Sequence, residues 1–273
     1  MDAEERIVSA LIKAIRKLPD DVEALILEAA ESEEGRGGAL ALDAIVKNIG
    51  CAARTGLPLC QDTGMFWCLA SIGRGSKVSI GALEELIASA CMRAAREGYY
   101  RKSVVSDPIY SRENTRTNLP PVISYECVDG DGVALSFLLK GFGSENCSSV
   151  RMLNPTAGED GVVSAVVDMM EKAGGKPCPP VFLGVGVGGT MDRAAFLSKK
   201  AFFSSEGNHH LESRILSAVN ELGIGAGGLG GNHTALAVSV LSSPTHIAGL
   251  PVALTVNCWA DRKCAIRISE EEL

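Results

Sequence analysis

The chain has 273 residues, of which 46% are hydrophobic, 22% are charged and only 5% are aromatic, and its formal net charge is −7. This length suits one large or two smaller domains, and so few aromatic residues predict a core of aliphatic and small side chains. An acidic chain without Lys/Arg-rich runs argues against nucleic-acid binding.

The first part of the chain, residues 1–56, is predicted to be helical. Apolar residues recur three or four positions apart over residues 7–15 and 22–29, as they do on one face of a helix. A third helix is predicted over residues 38–54 and ends before Gly56. We interpret this segment as a helical cap over a core.

The remaining residues, 57–273, predict a mixed-sheet α/β body, so that the fold class of the whole chain is mixed α/β. The predicted strands are 66–72, 122–128, 133–139, 181–185, 235–241, 252–256 and 265–268. The predicted helices are 82–97, 158–173, 192–203 and 210–222. Asp129-Gly130-Asp131-Gly132 separates the second and third strands and predicts a β-hairpin. We expect residues 1–273 to form a single domain.

One long stretch, from Leu222 to Ala260, contains no Asp, Glu, Lys or Arg. A transmembrane helix needs about 20 continuous apolar residues, but glycines within 225–231 and the prolines at 244 and 251 interrupt this stretch. We therefore expect buried strands joined by glycine-rich turns and no membrane span. We also expect part of the stretch to pack against another chain, because obligate interfaces resemble a core cut in half.

The N-terminus is acidic, Met1-Asp2-Ala3-Glu4-Glu5, where a secretory signal peptide is basic and then apolar. We therefore expect a cytoplasmic protein. The nine cysteines are an odd number, which argues against a disulfide framework and for thiols that are structural, reactive or bound to metal.

The cysteines divide into two groups. Five lie in predicted helices or strands, where a free thiol usually acts as a small buried hydrophobe: Cys51, Cys68, Cys91, Cys127 and Cys264. Four lie in turns or polar loops and are candidates for a metal site: Cys60, Cys147, Cys178 and Cys258. Their spacing does not fit compact zinc sites, whose cysteines come in pairs two to four residues apart. An iron–sulfur cluster whose ligands come from distant loops is retained as an alternative.

Glycines between residues 184 and 189 fit the pattern G-x-G-x-x-G and follow a predicted strand. A dinucleotide site also needs an acidic residue about 20 positions further on, and Glu206 stands there but in a segment that resembles a loop. The exposed N–H groups of such loops can equally hold a carboxylate. Nucleotide binding is therefore retained as an alternative.

Other polar residues suit an anionic substrate. His246 lies in a Pro-Thr-His turn of the charge-free stretch, and histidine is the side chain best suited to proton transfer near neutral pH. Arginines near the loops, among them Arg101 and Arg262, could bind a carboxylate with their planar fork.

Five segments occur in an order that we recognise from a known family. They are PLCQDTG (58–64), KGFGSENCSS (140–149), PCPPVFLGVGVGGT (177–190), GIGAGGLGGNHTALAVSV (223–240) and VNCWADRKC (256–264). Together they resemble the α-subunit region of Fe–S-dependent class I fumarases and L(+)-tartrate dehydratases. The resemblance covers about residues 5–268. Phe142, Cys147 and the segment 232–234 depart from the family pattern.

The resemblance implies a set of site residues. A [4Fe–4S] cluster would be held by Cys60, Cys178 and Cys258. The substrate dicarboxylate would be bound by Gln61, Asp62, Arg101 and the backbone of Gly141 and Gly143. The catalytic candidates are Asp62 and His246, and the histidine would reach the active site of a neighbouring subunit.

The resemblance also implies an activity and partners. The expected reaction is the reversible hydration of a small dicarboxylate, with fumarate/(S)-malate first and L(+)-tartrate as the alternative. In the family a β subunit or C-terminal domain supplies the base, so we expect a β-subunit partner and a homodimer of the α chain in an α2β2 assembly. A nucleotide-dependent oxidoreductase and a non-catalytic Fe–S protein are the competing hypotheses.

Overall fold

The structure, a computed structural model, describes residues 2–272, so that Met1 and Leu273 lie outside it. Its described residues form two compact units. Unit 1 consists of residues 2–20, 48–142 and 260–272, and unit 2 consists of residues 21–47 and 143–259. Each unit is built around its own sheet and its own hydrophobic core.

The N-terminal segment is helical, as predicted. It contains α1 (Ala3–Arg16), α2 (Asp20–Ser32) and α3 (Arg36–Thr55). The Asp2 carboxylate accepts the Glu5 N–H at 2.8 Å and so caps α1. The segment is not a separate layer, because α1 belongs to unit 1 whereas residues 21–47 belong to unit 2.

The body of the chain alternates strands and helices. The strands are β1 (Met65–Gly73), β2 (Val122–Val128), β3 (Val133–Lys140), β4 (Ser149–Leu153), β5 (Val181–Gly188), β6 (Ala235–Ser243), β7 (Leu250–Asn257) and β8 (Lys263–Ile268). The further α-helices are α4 (Ile80–Glu97), α5 (Phe142–Glu145), α6 (Gly158–Ala173), α7 (Met191–Lys200) and α8 (His209–Asn220). The mixed α/β class is therefore confirmed. Only β4 and the single-turn α5 had no counterpart among the predicted elements.

Unit 1 contains a sheet in the order β2-β1-β3-β8, in which β1 pairs parallel with β2 and the other neighbours are antiparallel. The apolar sides of α1 and α4 pack in one core with this sheet, where Ile7, Ile87 and Phe137 are fully buried. Residues from the two ends of the chain thus meet in one core, since α1 begins it and β8 closes it.

The predicted hairpin between β2 and β3 is wrong. The Asp129–Gly132 segment does connect these strands, but β1 lies between them and pairs with both. The end of β1 is also hydrogen-bonded to this connecting segment, because the Gly73 N–H donates to the Gly132 carbonyl at 3.0 Å. Being apolar and buried along most of its length, β1 is favoured as a central strand with partners on both edges.

Unit 2 contains a sheet in the order β4-β7-β5-β6, in which β5 and β6 are parallel and the other pairs are antiparallel. Seven of the eight residues of β7 are buried. Much of the charge-free stretch therefore lies in this core, as the sequence indicated. Among residues 2–272, no helix is long and apolar enough to cross a membrane.

Glycines within β5 allow α7 to pack close to the sheet. A Cβ at Gly184 would overlap the Ser198 carbonyl oxygen, and a Cβ at Gly186 would overlap that of Ala194. Two glycines of the G-x-G-x-x-G pattern thus lie inside a strand rather than in a phosphate-binding turn. Close packing explains them, and the nucleotide alternative loses its main support.

Replacing Gly186 with alanine should therefore destabilise the protein, by about 1–3 kcal/mol, because the added methyl group must displace helix backbone. The matched control is Gly249→Ala, where an added Cβ would meet no atom within 4 Å. Urea unfolding of both variants measures the difference. Equal unfolding midpoints for Gly186→Ala and the control would contradict this account of the packing.

Candidate functional site

Strand ends bring three sequence-distant segments of unit 1 together. The turn 60–64 leads directly into β1, β3 leads into Gly141, and β8 starts directly after Arg262. The register pairs Met65 with Lys140, and Leu138 with Lys263. The topology therefore places the turn, Gly141 and Arg262 at the same end of the sheet.

The turn 60–64 lies directly against the segment that follows β3. Gly64 has a φ of +84°, and a Cβ there would lie only 2.5 Å from the Lys140 carbonyl carbon. An L-residue with a side chain fits neither this conformation nor this distance. The Asn118 side-chain amide also donates to the Gly64 carbonyl at 3.3 Å.

Asp62 is fixed on two sides. One carboxylate oxygen, Oδ2, accepts the Phe142 N–H at 2.9 Å, and the Asp62 carbonyl accepts a hydrogen bond from Arg262 Nη2 at 2.7 Å. A Cβ at Gly141 would lie 3.1 Å from Oδ2. Because Gly141 has no side chain, the carboxylate can lie directly on its backbone.

The other predicted substrate-binding residues of unit 1 either belong to the turn 60–64 or are hydrogen-bonded to it. Gln61 is exposed, and its Oε1 accepts a weak bond from the half-buried Cys60 thiol at 3.7 Å. The buried Thr63 hydroxyl accepts the Arg101 N–H at 2.8 Å, which fixes the backbone from which the exposed Arg101 side chain extends. The structure thus brings Gln61, Asp62, Arg101 and Gly141 together within unit 1.

In unit 2 the turns of Cys178 and Cys258 are neighbours. Cys178 precedes β5 and Cys258 follows β7, and these strands are antiparallel, so both residues lie at one end of the sheet. The Trp259 N–H donates to the Cys178 carbonyl at 3.3 Å. Cys178 has a φ of +56°, a left-handed conformation that is uncommon for residues other than glycine and is enriched at functional sites.

The glycine-rich loop before β6 supports the Cys178 turn. The Gly227 N–H donates to the Pro179 carbonyl at 2.7 Å, and a Cβ at Gly228 would lie 2.9 Å from the Gly175 Cα atom. Gly143 lies close to the same turn, since a Cβ placed on it would be 3.7 Å from the Lys176 carbonyl oxygen. The half-buried Cys147 donates its thiol to the Gly143 carbonyl at 3.4 Å.

Glu33, which no sequence pattern singled out, anchors the same glycine-rich loop. Its carboxylate accepts the N–H groups of Gly35, Asn232 and His233. Burial raises the pKa of Glu33, but these three N–H bonds outweigh burial and hold the pKa below its usual value. No sequence signal links residues this far apart.

His246 lies at the other end of the unit 2 sheet. It precedes the eight-residue strand β7 whereas Cys258 follows it, and at about 3.4 Å per residue the strand spans about 27 Å. The imidazole is exposed, and its Nδ1 accepts the Ala248 N–H at 3.1 Å. The structure therefore does not bring His246 together with the Cys178 and Cys258 turns of its own chain.

Of the five remaining cysteines, Cys264 is half-buried and packs against the unit 1 core, and the other four fall into two pairs. Cys68 and Cys91 are fully buried, as predicted, and burial raises the pKa of each thiol above its usual value, so neither is available as a thiolate ligand. The same expectation is wrong for Cys51 and Cys127, which are exposed. Their helix and strand positions face solvent instead of the core.

The three predicted cluster ligands are divided between the units, with Cys60 in unit 1 and the other two in unit 2. Among residues 2–272, no three His, Cys, Asp or Glu side chains form a group that could hold a single metal ion. The donor set nevertheless suits an iron–sulfur cluster, which binds thiolates. All three cysteines lie on loops, and each is half-buried or exposed.

The sequence of the chain matches known proteins over nearly its whole length. The family described as Fumarate hydratase (Fumerase) matches residues 4–267. A Methanocaldococcus jannaschii protein provisionally named L(+)-tartrate dehydratase subunit alpha is 38% identical, with 98% of each chain covered.

The L(+)-tartrate dehydratase subunit alpha of Escherichia coli strain UTI89 is 29% identical, with 92% of this chain and 86% of that protein covered. The strain K12 protein of the same name is 28% identical, with 90% and 84% covered. The chain therefore belongs to the fumarate hydratase (fumerase) family and is a hydro-lyase of the fumarate hydratase and tartrate dehydratase type.

Proposed function

We propose that residues 1–273 form one α subunit of an enzyme that catalyses the reversible hydration of fumarate to (S)-malate. The observation that carries the proposal is the convergence of the turn 60–64 and Gly141 at one end of the unit 1 sheet. A family match over residues 4–267 supports it. L(+)-tartrate is the second candidate substrate, because the relatives described above are named for its dehydration.

The cofactor in this proposal is a [4Fe–4S] cluster held by Cys60, Cys178 and Cys258. When bound, such a cluster supplies a Lewis-acidic iron that polarises the hydroxyl and the adjacent carboxylate of a 2-hydroxy acid. Cys147 is not a ligand in this proposal, because the three cysteines already complete the ligand set that the family implies.

The protein groups around the turn 60–64 have complementary tasks. In this proposal the substrate carboxylate is bound by Arg101 and by the backbone of Gly141 and Gly143, and arginine suits this task because its planar fork bonds a carboxylate in two places. Asp62 repels a carboxylate, so in this proposal it accepts a hydrogen bond from the substrate hydroxyl or from water. Gln61 offers both a donor and an acceptor and can bind either group.

The reaction removes a proton from one carbon of malate and the hydroxyl group from its neighbour, which leaves fumarate and water. In this proposal Asp62 is the catalytic group at the hydroxyl, and its hydrogen bond orients that hydroxyl for departure, since proton transfer requires hydrogen-bond reach. The base that removes the C–H proton is expected from a β subunit, the partner implied by the subunit-alpha names of the relatives.

We further propose an α2β2 assembly in which His246 of each α chain reaches the active site of the other α chain. The turn that carries His246 is exposed, and the adjacent Ile247 is 90% exposed although it belongs to the charge-free stretch. About 27 Å of strand separate His246 from Cys258 of the same chain, which supports the proposal that the histidine acts on the cluster of a neighbour. We also propose a cytoplasmic location, where thiols stay reduced and can serve as cluster ligands.

Removal of a cluster ligand should abolish iron binding. After anaerobic reconstitution, Cys178→Ala should lose most of its iron, while Cys51→Ala, the control at an exposed helix position, should keep it. Iron and sulfide per chain are the measurements. A Cys178→Ala chain that still carried about four irons would show that the ligand assignment is wrong.

The reconstituted αβ enzyme should use fumarate and (S)-malate with a kcat/KM at least about tenfold above that for L(+)-tartrate. Initial rates with each substrate, measured anaerobically, decide between the two. The reverse ranking would assign the chain to tartrate, and no turnover of either dicarboxylate would reject the proposed function.

Two inactive variants should complement each other if His246 acts on a neighbour's cluster. His246→Ala should keep its iron but lose turnover, and Cys60→Ala should lose iron. Co-assembled in equal amounts, they should recover about a quarter of the wild-type sites, since half of the two-fold dimers contain one intact site. No recovery from mixed dimers, shown to form by mass spectrometry, would place His246 outside the neighbour's site.

A further inference from the structure

Arg262 is a buried cation that the proposed reaction does not use directly. Only 1% of its surface is exposed. Among residues 2–272, its Nε and Nη1 atoms find no hydrogen-bond acceptor. Burying a charged group without full pairing is costly, and a neutral apolar side chain would usually fill such a position with greater stability. The position of Arg262 therefore calls for a role other than packing.

The side chain and backbone of Arg262 connect two segments of the candidate site. Its Nη2 donates to the Asp62 carbonyl at 2.7 Å. Its own carbonyl accepts the Leu139 N–H at 3.0 Å, two residues before Gly141. Arg262 thus joins the turn 60–64 to the end of β3.

Three groups meet beside Gly141. A Cβ placed on this residue would lie 3.1 Å from Asp62 Oδ2 and 3.6 Å from Arg262 Nη2. The guanidinium is therefore near both the backbone and the carboxylate of Asp62. Its positive charge favours a carboxylate held at this place, and its bond to the carbonyl restricts the rotation of the turn.

We propose that Arg262 is a positioning residue of the hydro-lyase, which orients Asp62 against Gly141 for binding of the dicarboxylate. It acts through Asp62 and does not contact the substrate. This inference rests on the proposed function. Lysine would keep the charge but not the planar arrangement of donors, so it should replace arginine only in part.

A double-mutant cycle on the reconstituted αβ enzyme tests whether Arg262 acts through Asp62. Arg262→Gln should lower kcat/KM about 100-fold, as expected when a reacting group is displaced by about 1 Å. The double variant with Asp62→Asn should be no less active than Asp62→Asn alone, because the two residues act as one unit. Arg262→Lys should recover about a tenth or more of the wild-type value. Losses that multiply in the double variant would overturn the proposal.

Amide exchange gives a second test that needs neither cluster nor turnover. The Phe142 N–H donates to Asp62 Oδ2, so it should exchange about tenfold faster in the full-length Arg262→Gln chain if Arg262 holds Asp62 in place. Arg267→Gln, an exposed arginine in β8, is the control and should leave this amide unchanged. Unchanged exchange of Phe142 in Arg262→Gln would also overturn the proposal, and Arg262→Met carries both tests if the Gln variant does not fold. A failure of the proposed function would appear separately, as an inactive wild-type enzyme.

Discussion

The close contact between the turn 60–64 and the residues after β3 is the constraint on which the unit 1 site depends. It requires a glycine at position 64, because a Cβ there would lie 2.5 Å from the Lys140 carbonyl carbon. Once the two segments touch, the Asp62 carboxylate can accept the Phe142 N–H and lie on Gly141. A longer distance would separate the carboxylate from the Phe142 N–H, to which it is hydrogen-bonded.

Unit 2 uses glycine in a comparable way for a different purpose. The loop before β6 supports the Cys178 turn through the Gly227 N–H, and Glu33 anchors the far side of the same loop. Glycines inside β5 let α7 approach the sheet. These glycines thus allow close approaches of backbone to backbone, and a glycine-rich pattern does not by itself indicate nucleotide binding.

The sheet of unit 2 also separates two kinds of residue. The turns of Cys178 and Cys258 lie at one end, while His246 lies at the other end beyond β7. In the proposed homodimer, each active site would take its cysteines and its His246 from different chains. This geometry gives the proposed homodimer a chemical reason, in addition to the exposed apolar surface at Ile247.

Local sequence patterns were sufficient for most of the helices and strands, because apolar periodicity depends only on neighbouring residues. They also separated the loop cysteines 60, 147, 178 and 258 from those in helices and strands, and ordered motifs identified the family. Strand pairing could not be derived in this way. The β2–β3 hairpin failed because β1, distant in sequence, competes for the same edges. Likewise, only the tertiary structure joined Glu33 to the glycine-rich loop and Arg262 to Asp62, since these bonds depend on how the folded strands bring remote segments together.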